Sequence, residues 1–238
     1  MKLVVRPWLW TLTGAALIVL IGLGTWQVQR LAWKNDLIAR VEARTGEPPK
    51  LLEDLPIDTL ETDEWEYAPV SVSGGFHNGR TAHVVGTYEG QAGFYAFQAM
   101  RLDDGSGALV LINRGFVPQD QRSDYYPLPD AERMVGLARF YAAPQGLSGA
   151  FAPPNDPING TFYSRDPEAL ASYLTPGEED RYLAIAVDST LLTELPRGGT
   201  TRLDFRNAHL GYAITWFGLA AGLAMVTGLL SRRPAQKG

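Results

Sequence analysis

The residues best suited to ligand chemistry lie in one stretch near the C-terminus, Arg206-Asn207-Ala208-His209-Leu210-Gly211-Tyr212-Ala213-Ile214-Thr215-Trp216. At about 100° per residue along a helix, His209, Tyr212 and Trp216 fall on one stripe. An imidazole beside two aromatic rings can offer a nitrogen to a cofactor iron while the rings flank a flat macrocycle. The same side chains also suit the headgroup level of a membrane as amphipathic anchors. The residues alone leave both interpretations open.

Motifs typical of enzymes are missing from the rest of the chain. There is no nucleophile elbow, no phosphate-binding glycine loop and no His-Glu-x-x-His, and the chain contains only three histidines. We interpret His77 and His83 as ordinary surface or sheet residues. The absence of cysteine excludes thiol catalysis, and with only four methionines it makes copper handling improbable. The sequence therefore predicts a protein that is not an enzyme and holds no metal apart from a cofactor iron at His209.

Two uncharged apolar stretches must position the histidine segment. No formal charge occurs in residues 7–29 or in residues 207–231. Each stretch reaches the roughly 20 residues that a helix needs to cross a bilayer. We predict transmembrane helices over 8–29 and 209–230, the first continuing as a helix to about residue 44. A cleaved signal peptide is the alternative for the first, but no small-x-small cleavage site follows it.

The charges that flank the spans predict a topology. All 26 acidic residues lie between the spans, so the middle carries −10 of a whole-chain charge of −5. Short basic tails stay cytoplasmic, whereas a long loop is translocated largely regardless of its charge. We therefore expect tails 1–7 and 231–238 inside and residues 31–206 outside. The acidic middle also argues against nucleic acid as a partner. The tails carry five basic residues, namely Lys2, Arg6, Arg232, Arg233 and Lys237.

The segment between the spans has a β-rich pattern. From Tyr67 onward, short alternating runs are separated by Gly, Pro and Asn-Gly turns. One helix is predicted after Asp166, with Pro167 at its first position, and a second from Ser189 to Leu195. The expected fold class is an integral membrane protein whose two terminal helices flank a β-rich α+β extracytoplasmic domain. We expect that domain to be an antiparallel sheet, barrel-like or sandwich-like.

Three segments together resemble the signatures of the Surfeit locus 1 family. Each would be weak evidence alone, but all three in order, with two spans, are specific across nearly the whole chain. The segments are Gly24-Thr25-Trp26-Gln27-Val28-Gln29-Arg30 with Trp33-Lys34, then Asn113-Arg114-Gly115-Phe116-Val117-Pro118, then Asn207-x-His209-Leu210-x-Tyr212-Ala213-Ile214-Thr215-Trp216, the last preceded by Gly198-Gly199-Thr200-Thr201-Arg202.

The resemblance implies an assembly factor for a haem-copper terminal oxidase, cytochrome c oxidase. It implies binding of haem a through His209 and transfer to, or retention in, the catalytic subunit of the oxidase. Tyr212 and Trp216 would flank the macrocycle, and Arg30 and Arg206 would pair with its propionates or simply snorkel to headgroups. Catalytic subunit, haem A synthase and membrane lipid are the implied partners. A bacterial-type member would lie in the plasma (inner) membrane.

Two points stay open from the sequence. The protein could instead be a cofactor-free membrane scaffold that holds oxidase subunits through its outer domain and the face carrying Gly218 and Gly222, whose spacing lets helices approach closely. Arg114 could recognise a partner, or it could pair with an acid to hold a strand end. We favour the structural role for Arg114.

Overall fold

The chain folds into two compact units, each described here by itself. A computed structural model describes residues 7–55, 62–77, 79–123, 125–127, 133–203 and 207–231. The helical unit comprises residues 1–40 and 204–238, and the barrel unit comprises residues 41–203. Most of both predicted tails lies outside the described residues. So does Arg206, which we expect to pair with a haem propionate.

Two helices make up the described part of the helical unit, with α1 spanning Pro7–Thr45 and α5 spanning His209–Ser231. Both are long and apolar enough to cross a membrane, with mean hydropathies of 1.7 and 1.8 over their most apolar windows. The 39 residues of α1 extend about 58 Å. That length is nearly twice the roughly 30 Å of a hydrocarbon core, so α1 is long enough to project well beyond it.

The two helices pack along a seam of small and polar residues. On α5 the buried residues Ala213, Ala220 and Thr227 recur every seven positions, as in left-handed helix pairs. Thr227 Oγ1 lies 3.5 Å from Thr13 Oγ1 on α1. Phe217 packs closely against Gly24 of α1, where an added Cβ would stand 2.7 Å from a ring carbon of Phe217.

The predicted close-approach pair on α5 is not used in this packing. A Cβ added at Gly218 or at Gly222 would meet no atom within 4 Å. The face of α5 that carries Gly218 and Gly222 is therefore not covered by α1. The glycine that makes room for the other helix is Gly24 of α1, which faces Phe217 of α5.

The described residues of the barrel unit form a sheet of eight strands with mixed pairing. The strands are β1 (Lys50–Leu51), β2 (Pro69–Phe76), β3 (Ala82–Tyr88), β4 (Gln91–Leu102), β5 (Leu109–Pro118), β6 (Arg133–Arg139), β7 (Thr161–Phe162) and β8 (Tyr182–Ser189). Five of them, β2, β6, β8, β5 and β4, close a ring because β2 pairs with both β6 and β4. β1 extends the sheet beyond β2, and β3 and β7 extend it beyond β4.

The barrel-like form was predicted, but a purely antiparallel sheet is wrong. β5 and β8 run parallel, as do β1 with β2 and β3 with β7. A parallel pair needs a long crossover connection, and residues 119–181 supply it between β5 and β8. The register between β4 and β5 shifts between Ala96 and Phe97, where Arg114 is an extra residue in β5, so the bulge bends β5. The far end of β4 pairs with β2, which completes the ring.

Two apolar clusters cover the two faces of the sheet. One contains Val70, Ile112 and Val187, and the other contains Phe97, Phe116 and Phe162. Because both faces are covered, all ten residues of β5 are buried. The remaining helices of the unit are α2 (Thr62–Trp65), α3 (Gly146–Ala150) and α4 (Pro167–Leu174), with short 3-10 turns at Leu52–Asp54, Gln119–Gln121 and Glu179–Arg181.

One of the two predicted helices of this unit is confirmed and the other is wrong. Asp166 caps α4 through a hydrogen bond from the Glu168 amide, and Pro167 begins the helix. The predicted helix from Ser189 to Leu195 does not form. The Ser189 carbonyl accepts from the Gly199 amide, and the Thr190 amide donates to Val135. These backbone groups are therefore committed to neighbouring segments rather than to a helix.

Candidate functional site

The predicted haem ligand begins α5 and is held by a residue of α1. His209 Nδ1 lies 2.7 Å from Gln27 Oε1. An amide oxygen only accepts hydrogen bonds, so Nδ1 is the donor here, and in a neutral imidazole Nε2 then carries the lone pair. Gln27 is buried and His209 is half-buried, so the bond is shielded along the seam. Gln27 was visible in the first motif, but only the packing of the two helices shows its function.

The two aromatic residues of the predicted stripe differ in their surroundings. Trp216 is half-buried on the seam side of α5, at a position that alternates with Ala213 and Ala220. Tyr212 is 57% exposed, because the seam passes through its neighbour Ala213. Of the predicted stripe, His209 and Trp216 therefore face the helix pair and Tyr212 faces outward.

The arginine of the first motif is open to the surroundings. Arg30 is exposed, and its guanidinium carbon lies 4.4 Å from the centroid of the Trp33 ring. Stacking on an indole leaves the edge of a guanidinium free to donate hydrogen bonds. Arg206, its predicted counterpart, lies outside the described residues.

Three further motif residues lie in the helical unit. Asn207 Nδ2 donates to Asn35 Oδ1 of α1 at 2.8 Å. This is a second side-chain hydrogen bond between the two helices, in addition to that of Gln27 and His209. Trp26 is half exposed and Lys34 is partly buried. The third motif thus contacts α1 through two polar side-chain pairs, one with Gln27 of the first motif and one with Asn35, just after that motif.

The central motif has a structural explanation inside the barrel. Gly115 adopts φ +124°, a conformation that L side chains rarely adopt, and an added Cβ would collide with the Arg197 carbonyl. The next residue, Phe116, exchanges both backbone hydrogen bonds with Arg197. Pro118 ends β5 opposite Gly93. The central motif and the Gly198–Arg202 segment therefore form one local structure.

Arg114 has the structural role that we favoured, but not with the predicted acidic partner. Its side chain is 4% exposed, and it donates to Gln98 Oε1 at 3.0 Å and to the Pro127 carbonyl at 2.7 Å. Burial lowers the pKa of this guanidinium below its ordinary value. Within the described part of the chain, neutral oxygens rather than a carboxylate satisfy it. Arg114 therefore fastens the segment after β5 to the sheet.

Asp188 connects the motif residues of the barrel unit to one another. The sequence analysis did not predict this function. Its carboxylate is 2% exposed. Oδ1 accepts from Asn113 Nδ2 at 2.9 Å and from the Tyr141 hydroxyl at 2.6 Å. Oδ2 accepts from Thr201 Oγ1 at 2.7 Å and from Arg139 Nη1 at 3.4 Å. A lone acid at the end of a strand has no local signature, so only the folded barrel shows its importance.

The charges around Asp188 shift the pKa of their neighbours. Burial, followed by the Asp188 charge, raises the pKa of the Tyr141 phenol far above its ordinary value. Burial acts to lower the pKa of Arg139, but its electrostatic interactions with Tyr141, Asp188 and Glu66 outweigh burial and the pKa is raised. Arg139 therefore stays charged and Tyr141 stays a neutral donor.

The described ranges contain no cluster of metal-ligating side chains. In residues 7–55, 62–77, 79–123, 125–127, 133–203 and 207–231, no three His, Cys, Asp or Glu side chains come together as a metal site. His77 lies 3.6 Å from Glu178, and His83 is buried with Nε2 3.2 Å from the Tyr126 hydroxyl. Both fit ordinary surface or sheet roles.

Known proteins resemble this chain over most of its length. A profile of the SURF1 family matches residues 14–221, which include all three motif segments. Surfeit locus protein 1 of Homo sapiens is 33% identical over 224 residues, covering 86% of this chain and 71% of that protein. The protein of the same name from Rattus norvegicus is 33% identical over 220 residues, covering 84% and 68%. A SURF1-like protein of Monosiga brevicollis is 31% identical over 226 residues, covering 86% and 80%.

Proposed function

The chain belongs to the SURF1 family, and from that membership we propose that it is a membrane-bound assembly factor for cytochrome c oxidase that binds haem a. The family is generally linked to the assembly of that oxidase. We propose His209 as the iron ligand and the catalytic subunit of the oxidase as the receiving partner, with haem A synthase as the source. Binding and transfer, not catalysis, would be the activity.

The observation that carries this proposal is the hydrogen bond between His209 Nδ1 and Gln27 Oε1, at 2.7 Å. Histidines that bind a metal commonly donate their second ring N–H to an acceptor, which fixes the tautomer and the ring orientation. Gln27 provides such an acceptor, so Nε2 is the nitrogen suited to an iron. The chemistry that haem a would bring is an open coordination position for this single neutral imidazole.

The remaining side chains fit a flat anionic cofactor. Trp216 offers aromatic surface on the same side of α5 as His209, whereas the exposed Tyr212 faces outward. Arg30 is exposed and its fork suits a propionate. We propose Arg206 as its counterpart on sequence position alone. A single neutral ligand would hold the cofactor weakly enough for transfer.

We also propose that both termini face the cytoplasm and that the barrel unit lies on the far side of a bacterial plasma membrane. The two apolar helices and the basic tails support this topology. Fusions of alkaline phosphatase, which is active only after export, test it. Activity is expected for a fusion after residue 150 and not for one after residue 238, and the reverse pattern would contradict the topology.

The haem proposal is tested by purifying the full chain from cells that make haem a. The ratio of haem absorbance to protein is compared for the unchanged chain, His209→Ala and the matched control His77→Ala. The proposal expects haem loss in the first variant only. Equal haem content in His209→Ala and the unchanged chain would remove His209 as the ligand.

A cofactor-free scaffold is the second candidate. The open face at Gly218 and Gly222, where an added Cβ meets nothing within 4 Å, favours it because another helix could approach there. Substituting both glycines by leucine should then abolish co-purification with oxidase subunits. Co-purification with the oxidase but never with haem would favour the scaffold over the haem carrier.

A further inference from the structure

A polar cavity of about 160 Å³ lies in the barrel unit, beside Asp188. Its walls come from distant parts of the chain, including Tyr67 before β2, Tyr95 on β4 and Thr200–Arg202 after β8. Asn113 of the central motif also lines it. The cavity therefore joins two of the motif segments that the haem proposal leaves without a function.

The side chains around this cavity carry an excess of positive charge. Three guanidinium groups line it, those of Arg139, Arg165 and Arg202, against the single carboxylate of Asp188. Arg139 is already engaged, since it donates to Glu66 Oε1 at 2.8 Å as well as to Asp188. In the described part of the barrel unit, neither Arg165 nor Arg202 forms an ion pair. Among the described residues Asp188 is the one carboxylate that lines the cavity, and its oxygens already accept from four other side chains.

The guanidinium of Arg165 is held in place by aromatic rings. Its central carbon lies 4.5 Å from the centroid of the Tyr95 ring and 5.2 Å from that of Tyr141. Its Nη1 lies 3.4 Å from the Tyr141 hydroxyl oxygen. Burial raises the pKa of both tyrosines, so both remain neutral and neither serves as the missing anion. Stacking on aromatic faces fixes the plane of the fork before any ligand arrives.

The backbone at the cavity wall is strained. Tyr67 adopts φ +65°, in the left-handed region that bulky residues rarely occupy. This conformation places the Tyr67 ring 4.6 Å from the guanidinium carbon of Arg139. Strain of this kind persists where the surroundings over-determine it, and it is concentrated at ligand sites.

We propose that this cavity binds a single oxyanion group, a carboxylate or a phosphate, through Arg165 and Arg202. The volume limits the ligand, because cavities for drug-sized molecules measure about 300–1,000 Å³ and a haem macrocycle does not fit here. A planar fork recognises two oxygens of one acidic group. The group could belong to a free small anion or to an acidic side chain of a polypeptide. This site is independent of His209 and of the proposed haem binding.

The test is isothermal titration of the full chain in detergent at low ionic strength. The probes are sodium acetate, inorganic phosphate, a blocked Gly-Gly-Glu-Gly-Gly peptide and its Gln counterpart, with sodium chloride as the salt control. We expect at least one oxyanion probe to bind, and the affinity to fall by about tenfold or more in Arg165→Gln and in Arg202→Gln. Binding of the Glu peptide alone identifies a polypeptide source, whereas binding of acetate or phosphate identifies a free anion.

Two further variants separate binding from folding. Arg80→Gln is the matched control, since Arg80 also stacks on a tyrosine, with its guanidinium carbon 5.7 Å from the Tyr173 ring, but does not line the cavity. Its affinity should equal that of the unchanged chain. Arg165→Lys keeps the charge without the planar fork, so its affinity should be intermediate. The proposal is overturned if no probe binds more tightly than chloride, or if all the arginine variants bind equally.

Discussion

Replacing Asp188 by alanine should destabilise the barrel unit more than any comparable change at its surface. The carboxylate is 2% exposed and accepts four hydrogen bonds, from Asn113, Tyr141, Thr201 and Arg139. Removing one partner of a buried charge pair costs about 3–5 kcal/mol, because the remaining cation loses its compensation. Glu66 still faces Arg139, so we expect a loss near the lower end, about 3 kcal/mol.

Thermal unfolding of the full chain in detergent, followed by the β-sheet circular dichroism, measures this loss. For a unit of this size, each 1 kcal/mol shifts the midpoint by about 2–4 °C, so we expect a decrease of roughly 10 °C. Asp188→Asn keeps one acceptor oxygen and should lose about half as much. The control is Asp104→Asn, on an exposed turn, which should change stability by less than about 0.5 kcal/mol. A loss below about 1 kcal/mol in Asp188→Ala would refute the organising role assigned to this carboxylate.

Three other predictions follow from particular contacts. Gln27→Leu should reduce haem retention about tenfold in the absorbance assay, since it removes the acceptor that orients the ligand; unchanged retention would separate this bond from ligation. Gly115→Ala should destabilise the barrel by about 3 kcal/mol or more in thermal unfolding, whereas Gly75→Ala, where a Cβ meets nothing within 4 Å, should be far milder; equal losses would argue against a steric cause. The hydrogen bond from Arg101 holds the pKa of Glu178 in the folded protein below its ordinary 4.5. The contribution of the ionised Glu178 to folding stability is therefore complete above pH 4.5, and it is lost as the pH falls through the lower pKa of the folded protein. The midpoints of the unchanged chain and Glu178→Gln should therefore converge on acidification, and a constant difference down to pH 3 would contradict the assignment.

Local patterns were sufficient for the elements that depend on neighbouring residues. The uncharged stretches marked both long helices, because hydrophobic length is a property of consecutive residues. Asp166 followed by Pro167 predicted the start of α4 for the same reason, since capping is completed within one turn. The helix predicted from Ser189 to Leu195 was wrong, because backbone groups at its start form hydrogen bonds with Val135 and Gly199 rather than helical ones.

Pairing between distant strands could not be derived from the same patterns. Alternation along β5 and β8 indicates strands, but it does not state which neighbours they take or in which direction. The long connection over residues 119–181 permits the parallel pairing that replaced the expected antiparallel one. The bulge at Arg114, opposite Ala96 and Phe97, is likewise visible only once β4 and β5 are paired.

The sequence by itself determined two apolar helices, a β-rich middle and the motif residues, including His209. Hydropathy, alternation and residue order are carried by the chain without reference to its folding. The tertiary structure alone decided that Gln27 is the partner of His209, although 182 positions separate them. It alone brought Asp188 to Asn113 and Thr201, and set Arg165 over two tyrosine rings beside an open cavity. Such contacts join residues that are remote in sequence, and their geometry exists only when the helices pair and the barrel closes.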